Sequence, residues 1–211
     1  MIDLILLAAG NSRRFRESGR GNKLLNPWKG RPMYRTVLER WKEASEGMLD
    51  GGAVYVVSRE YEILEAAEQY GMIPVYSPES AQGISWSVRN GLCAARRQTP
   101  ERTGRQADHY VFGVADQPML TAATIRRFLE KVRASVYACL AWEGQTGNPV
   151  AFPEKAAEEL LGLEGDSGGK KVLRCHLEEC TMVSAARAEE LKDIDTLEQL
   201  QEAEQEMQQN R

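Results

Sequence analysis

Leu4-Ile5-Leu6-Leu7-Ala8-Ala9-Gly10-Asn11-Ser12-Arg13-Arg14-Phe15 opens the chain, and Lys23 follows shortly after. The unbroken apolar run from Leu4 to Ala9 reads as a strand buried on both faces, and Gly10 ends it. A glycine at that point lets backbone N–H groups approach an anion closely. Converging Arg and Lys side chains then neutralise phosphate charge that amides alone would only partly offset. The loop therefore reads as a triphosphate cradle. Residues 13 to 23 carry Arg13, Arg14, Arg16, Arg20 and Lys23 against Glu17 alone, a local net of +4 in a chain of net −4, which leaves −8 elsewhere. An acidic chain with its positive charge gathered in one loop suits a small anion, because nucleic-acid binders spread basic charge over a face.

The loop matches neither common phosphate motif. Gly21-Asn22-Lys23-Leu24 lacks the Gly-Lys-Ser/Thr of a Walker A run, and Gly19-Arg20-Gly21 lacks the third glycine of a dinucleotide fingerprint and does not directly follow a strand. At 211 residues and 42% apolar content the chain suits one α/β core, and the expected organisation is one domain over 1–211. Cys93, Cys139, Cys175 and Cys180 show no Cys-x-x-Cys spacing, so they read as reduced, mostly packed thiols rather than a zinc site or disulfide framework. The opening apolar run contains Asp3, lacks a basic leader and continues into the loop. It reads as neither a signal peptide nor a membrane span, and the expected location is the cytoplasm. His109 and His176 lie far apart in sequence and are assigned no catalytic part.

Strands alternate with amphipathic helices, the pattern of a mostly parallel sheet covered on both faces. Strands are expected at 2–9, 53–58, 72–76, 109–115 and 136–142, with shorter ones near 149–152 and 181–185. Helices are expected near 32–46, 59–70, 84–97, 121–134, 154–162, 168–176 and 196–209. Residues 98–108, polar and rich in Arg, Gln and Thr, read as an exposed connection. The final helix carries a capping box, Thr196 with Gln199, and an apolar stripe of Leu197, Leu200, Ala203 and Met207.

In such sheets function gathers at the carboxyl ends of the strands. After strand 109–115 comes Asp116-Gln117-Pro118, a carboxylate on a stiffened turn, which suits a Mg²⁺ ion that shares its shell with phosphate oxygens. The alternative is an aspartate that merely organises the turn. Asp195, just before the final helix, is the second candidate, and its alternative is a helix cap.

Seven segments in order carry a family resemblance. They are Leu7 to Phe15, Lys23-Leu24-Leu25, Gln82 to Leu92, Ala115-Asp116-Gln117-Pro118, Gly147-Asn148-Pro149, Gly165 to Lys170, and Asp193-Ile194-Asp195-Thr196. Together they resemble the molybdenum cofactor nucleotidyltransferases, most closely the cytidylyltransferases, over residues 4 to 200. The resemblance implies an α/β, Rossmann-like fold of the nucleotide-diphospho-sugar transferase type, with a nucleotide-binding half at about 1–118 and an acceptor-binding half at about 119–211. It further implies Mg²⁺-dependent transfer of CMP from CTP to molybdopterin, with pyrophosphate released and a molybdenum hydroxylase as client, and no nucleic acid or membrane partner. Carried over by position, Ala8, Ala9 and Gly10 would line base and ribose, Ser12, Arg14 and Lys23 would hold the triphosphate, and Gly83 and Ser87 would bind the nucleotide. Arg14, Lys23 and Asp116 are the candidate catalytic residues. Asp116 and Asp195 would hold the metal, and Asn148, Asp166, Gly168 and Lys170 would face the acceptor.

Two departures from the family pattern stand out. Arg16 to Gly21 looks like an insertion that moves Lys23 away from the arginines, and Gly169-Lys170 stands where the family carries Ala-Arg. Other readings remain open: a guanylyltransferase, a sugar- or alcohol-phosphate cytidylyltransferase, or a carrier that delivers the cofactor without turnover.

Overall fold

The computed structural model describes residues 1–17 and 19–209. The side chains of Arg13 and Arg16, counted above in the basic loop, and of Met207, counted in the final helical stripe, lie outside the described part. The opening run forms β1 (Ile2–Leu7), the central strand, followed by a short helix α1 (Arg13–Glu17). A hairpin of β2 (Pro27–Trp28) and β3 (Arg31–Pro32) precedes α2 (Met33–Ser45). Then come β4 (Val54–Ser58), α3 (Tyr61–Gln69), β5 (Ile73–Tyr76) and α4 (Ile84–Thr103). The second half runs β6 (His109–Val114), α5 (Ala122–Val132), β7 (Tyr137–Trp142), β8 (Gln145–Pro153), α6 (Ala157–Leu161), α7 (Gly169–Cys175), β9 (Cys180–Ser184) and α8 (Leu197–Gln209).

Among the described residues seven strands form one sheet in the order β5-β4-β1-β6-β8-β7-β9. Only β8 runs antiparallel to its neighbours. Side chains alternate across each strand, so the sheet divides the core in two. Leu4, Leu6 and Val56 pack on one side with Trp41 of α2, Phe128 of α5 and Leu200 of α8. Ile5, Val57 and Phe112 pack on the other with Leu92 of α4, Leu160 of α6 and Leu173 of α7. The mostly parallel sheet with helices on both faces matches the expectation.

Several local expectations need correction. Helix α4 does not stop near residue 97 but continues through Pro100 to Thr103, so 98–103 are not part of an exposed connection. Pro100 lacks the N–H that would reach the Arg96 carbonyl, and Gln106 Nε2 donates to that carbonyl instead (3.1 Å). Strand β8 starts at Gln145, not near 149, because a two-residue turn at Glu143 (φ 47°) and Gly144 (φ 82°) pairs it with β7 from the first residue. The helix expected at 154–162 is a 3-10 turn at Glu154–Ala156 followed by α6. Of the four thiols only Cys139 is buried, whereas Cys93 and Cys175 sit on solvent-facing positions of α4 and α7.

Candidate active site

The loop after β1 is fastened before it reaches the cavity. Ala8 N donates to the Val57 carbonyl (2.8 Å), and the Ala8 carbonyl accepts from Ser58 Oγ (3.1 Å). Ser12, in the left-handed region at φ 48°, donates through Oγ to Asn22 Oδ1 (3.2 Å) and accepts from Lys23 N (3.2 Å). Asn22 Oδ1 also accepts from Leu24 N (3.0 Å), which caps the 3-10 turn Lys23–Leu25, and its Nδ2 donates to Glu60 Oε1 (3.0 Å). This stitching ties residues 22–24 back to the loop and aims Lys23 inward.

Lys23 is buried, and its Nζ donates to Asp116 Oδ2 (2.7 Å) and Asp195 Oδ1 (2.6 Å). Burial opposes its charge, but the two carboxylates outweigh that penalty and hold its pKa above the ordinary lysine value. Arg14 Nη1 reaches Asp195 Oδ2 at 3.5 Å from the solvent side. Asp116 follows β6, and its side chain does not organise the turn, because Gln117 Nε2 ties that turn to Asp193 Oδ1 (2.9 Å) and the Leu191 carbonyl (3.2 Å). Asp195 is likewise no helix cap. Gln199 N bonds Thr196 Oγ1 (3.2 Å), and Gln199 Oε1 accepts from Thr196 N (3.1 Å) and Asp195 N (2.7 Å). Neither carboxylate is spent on its own turn or cap, and both line the cavity with Lys23 between them.

Asp116 Oδ1 is a buried oxygen with no hydrogen-bond partner. An orphaned carboxylate oxygen is costly unless something occupies it. With Asp195 beside it, the pair fits a divalent cation that fills its shell with phosphate oxygens and water, the habit of Mg²⁺. Among the described residues no group of three or more His, Cys, Asp or Glu forms a closed protein cage for a metal.

These groups stand at the base of a cavity of about 790 Å³. Ala9, Gly10, Ser12 and Arg14 line it from the loop, and Lys23, Asp116 and Asp195 from the base. Ser80 and Ser87 line it from the side of α4, and Asp166 from the loop before α7. Ser87 Oγ donates to Ser80 Oγ (2.7 Å), so it is held by a neighbour that the sequence reading missed. Asn22 and Gln117 were missed too. Asn22 carried a readable sign, an amide side chain one residue before Lys23 in a position to cap the next turn.

Other expected site residues do not line the cavity. Ala8 is packed into the sheet core. Gly83, at φ 147°, sits where a Cβ would lie 2.3 Å from the Gly165 carbonyl oxygen, and that carbonyl accepts from Ser85 N (3.2 Å). The missing side chain lets the residues before α4 touch the Gly165 loop. Gly168 lies under Ile84, and the exposed Lys170 sits in the first turn of α7, where its charge bears on the Asp193 carboxyl. Asn148 is half-buried within β8.

Residues 4–181 match the model of the MobA-like NTP transferase domain. The chain belongs to that family. This NTP transferase domain is 29% identical to the purine catabolism protein PucB of Bacillus subtilis (strain 168), over 92% of each chain. Its fold is that of a nucleotidyl transferase from Methanothermobacter thermautotroptrophicus (Mth528), at TM-score 0.78 and 23% identity over 100% of this chain and 99% of that one. Rv0371c of Mycobacterium tuberculosis H37Rv, in complex with manganese, shares the fold at TM-score 0.67 and 20% identity over 97% of this chain and 98% of that one. Among the described residues no helix is long and apolar enough to cross a membrane.

Proposed function

We propose that this nucleotidyltransferase moves CMP from CTP to the phosphate of molybdopterin, with Mg²⁺, and releases pyrophosphate. The observation that carries the reading is Lys23, buried between Asp116 and Asp195 at the base of a nucleotide-sized cavity with Arg14 at its rim. An acceptor phosphate oxygen attacks the α-phosphorus, a new P–O bond forms, and the bond to the β-phosphate bridging oxygen breaks. The acceptor is already ionised, so no general base is needed. The protein contributes by holding two anions in line and by stabilising charge on the leaving pyrophosphate. Arg14 and Lys23 neutralise that charge, and Ser12 holds the loop that carries them. Asp116 and Asp195 would hold Mg²⁺, which when bound screens the two phosphate groups from each other.

Residues 1–118 form the nucleotide half of this reading and 119–211 the acceptor half. Ala9, Gly10 and Ser87 face the base and ribose, and Asp166 faces the acceptor across the cavity. Asn148, Gly168 and Lys170 lie outside the cavity wall and would act on the acceptor only through a larger ligand or a moved loop. The purine-catabolism name of PucB supports a molybdenum hydroxylase as client, since hydroxylation of a purine ring is chemistry of that class. The test is pyrophosphate release by the purified protein with Mg²⁺, molybdopterin and either CTP or GTP. A kcat/KM at least about tenfold higher with CTP is expected, because Ala9 adds a methyl where a larger purine would stack and Ser87 shares the selection. Equal or better use of GTP overturns the cytidylyl assignment, and turnover with neither overturns the enzyme reading.

A further inference from the structure

Three serine hydroxyls form a chain at the cavity wall, with Ser80 and Ser87 on it and Ser77 behind it. Asn90 Nδ2 donates to Ser77 Oγ (2.8 Å) and to Glu79 Oε2 (3.0 Å). A carboxylate only accepts, so Glu79 fixes which end of the Asn90 amide carries the hydrogens, and Ser77 must accept from it. Ser77 Oγ lies 2.6 Å from Ser80 Oγ, and Ser87 Oγ donates to Ser80 Oγ at 2.7 Å. Three hydroxyls carry three protons, and these two contacts use two of them. Among the described residues nothing else accepts the third.

Where the spare proton sits decides what the site can read. On Ser77 it would be sealed away from water and ligand, since Ser77 is fully buried and does not line the cavity. A buried unpaired O–H is costly. On Ser80, buried but part of the cavity lining, it has a ligand within reach. Ser77 therefore donates to Ser80, Ser87 donates to Ser80, and both Ser80 lone pairs are filled. An ordinary serine hydroxyl gives and accepts. This one only gives.

We infer that Ser80 is a specificity-determining residue of the nucleotide site, a hydroxyl locked as a donor that takes the ring-nitrogen acceptor of cytosine and rejects uracil. Cytosine N3 is a bare acceptor, whereas uracil N3 carries a hydrogen, so a donor-only group meets it hydrogen to hydrogen. The inference rests on the cytidylyl reading above and extends it to discrimination against UTP. Ser77 and Asn90 are positioning residues, acting on the base only through the direction of the Ser80 proton.

The experiment measures kcat/KM for CTP and UTP with Mg²⁺ and molybdopterin, together with calorimetric binding of each nucleotide to the full chain. Wild type is expected to favour CTP over UTP by about 100-fold or more. Ser80→Ala should lower that ratio at least about tenfold, chiefly through loss of CTP use. Ser77→Ala frees one Ser80 lone pair, so the hydroxyl can turn to accept from uracil, and the ratio should fall through a rise in UTP use. That rise is the signature a merely structural role would not produce. CTP and UTP affected in equal proportion by both substitutions, or a wild type that does not distinguish them, overturns the inference. A wild type that prefers GTP overturns the cytidylyl reading itself and is seen before any variant is made. Should Ser80→Ala fail to fold by circular dichroism, Ser77→Ala decides the question alone.

Discussion

Lys23→Met removes the cation between Asp116 and Asp195 while keeping an unbranched apolar stem. The Lys23 ammonium bonds the two carboxylates at 2.7 and 2.6 Å, so the accepting oxygens stay within about 5 Å of each other. At an effective dielectric of about 20, two unit charges at that separation repel by about 3 kcal/mol. The Asp195 side chain is 45% exposed and can swing into water, whereas Asp116 is 22% and Lys23 8% exposed, so the Lys23–Asp116 pair carries most of the cost. Removing one partner of a buried pair costs about 3–5 kcal/mol, and relief at Asp195 reduces the expected loss to about 2–4 kcal/mol. The folded-state pKa of Lys23 is raised, so its contribution is fully present below the ordinary value of 10.5 and is lost only as pH rises through the higher folded value. Urea unfolding at pH 7 therefore samples the whole effect. Mg²⁺ should stabilise the variant more than wild type, because a cation can then relieve the paired carboxylates. Adding Asp116→Asn to Lys23→Met should recover much of the loss, giving a strongly non-additive cycle. Turnover should fall about 10²- to 10³-fold. An unchanged unfolding midpoint, or an additive cycle, would refute the claim that Lys23 holds the carboxylates together.

Asp116→Asn should abolish pyrophosphate release with an unchanged circular dichroism spectrum, while Asp195→Asn is milder because Thr196 and Gln199 keep the helix cap; near-normal turnover by Asp116→Asn at ordinary Mg²⁺ removes it from the mechanism. Asp166→Ala should raise the KM for molybdopterin more than that for CTP, and equal effects on both would take Asp166 off the acceptor side. Asp3 is fully buried, and burial raises its pKa despite hydrogen bonds from Thr99 Oγ1 (2.7 Å) and Ala53 N (3.0 Å). The fold thus favours the protonated form, and stability falls as pH rises from 3.8 through the raised value. Asp3→Asn keeps an acceptor for Ala53 N, so its urea midpoint relative to wild type should increase from pH 3.5 to pH 7. A constant difference would show that Asp3 ionisation costs the fold nothing.

The inner strands β1, β4, β6 and β7 were legible because they are buried from both sides, which writes them as largely apolar runs, whereas the edge strands β5 and β9 are half-buried or exposed over most of their length and were read from their place in the alternation. The expected 2–9, 53–58, 72–76, 109–115, 136–142 and 181–185 became β1, β4, β5, β6, β7 and β9 with ends moved by a residue or two. What escaped was decided by partners distant in sequence. The Lys29-Gly30 turn holds both residues at positive φ, at 51° and 81°, as a tight hairpin needs, but lacks the Asn-Gly or Asp-Gly that signals one, and its strands are two residues each. Trp28 at its base is wholly buried, so the hairpin is held by the core and not by its own pairing. Helix α4 outran Pro100 for a similar reason. Thr99 is docked on the buried pair of Asp3 and Tyr55, its Oγ1 at 2.7 Å from each, and that anchor carries the helix past a residue that would otherwise end it.

In the site, residue types were easier to read than the faces they share. Asp116 and Asp195 lie 79 positions apart, and only the burial of Lys23 between them makes one centre of a strand end and a helix entry. At Gly83 the missing information was a backbone contact. The resemblance implies that it binds the nucleotide, while the space a Cβ would fill there is taken by the Gly165 backbone, and Ser85 N bonds the same carbonyl. Asp166 follows Gly165 directly, and Ser80 and Ser87 flank Gly83 on the cavity wall. A shift of the wall that carries Ser80 and Ser87 is therefore passed to the segment that carries Asp166. Gly83 and Gly165 join these two cavity walls by backbone contact, with no side chain between them to absorb a shift.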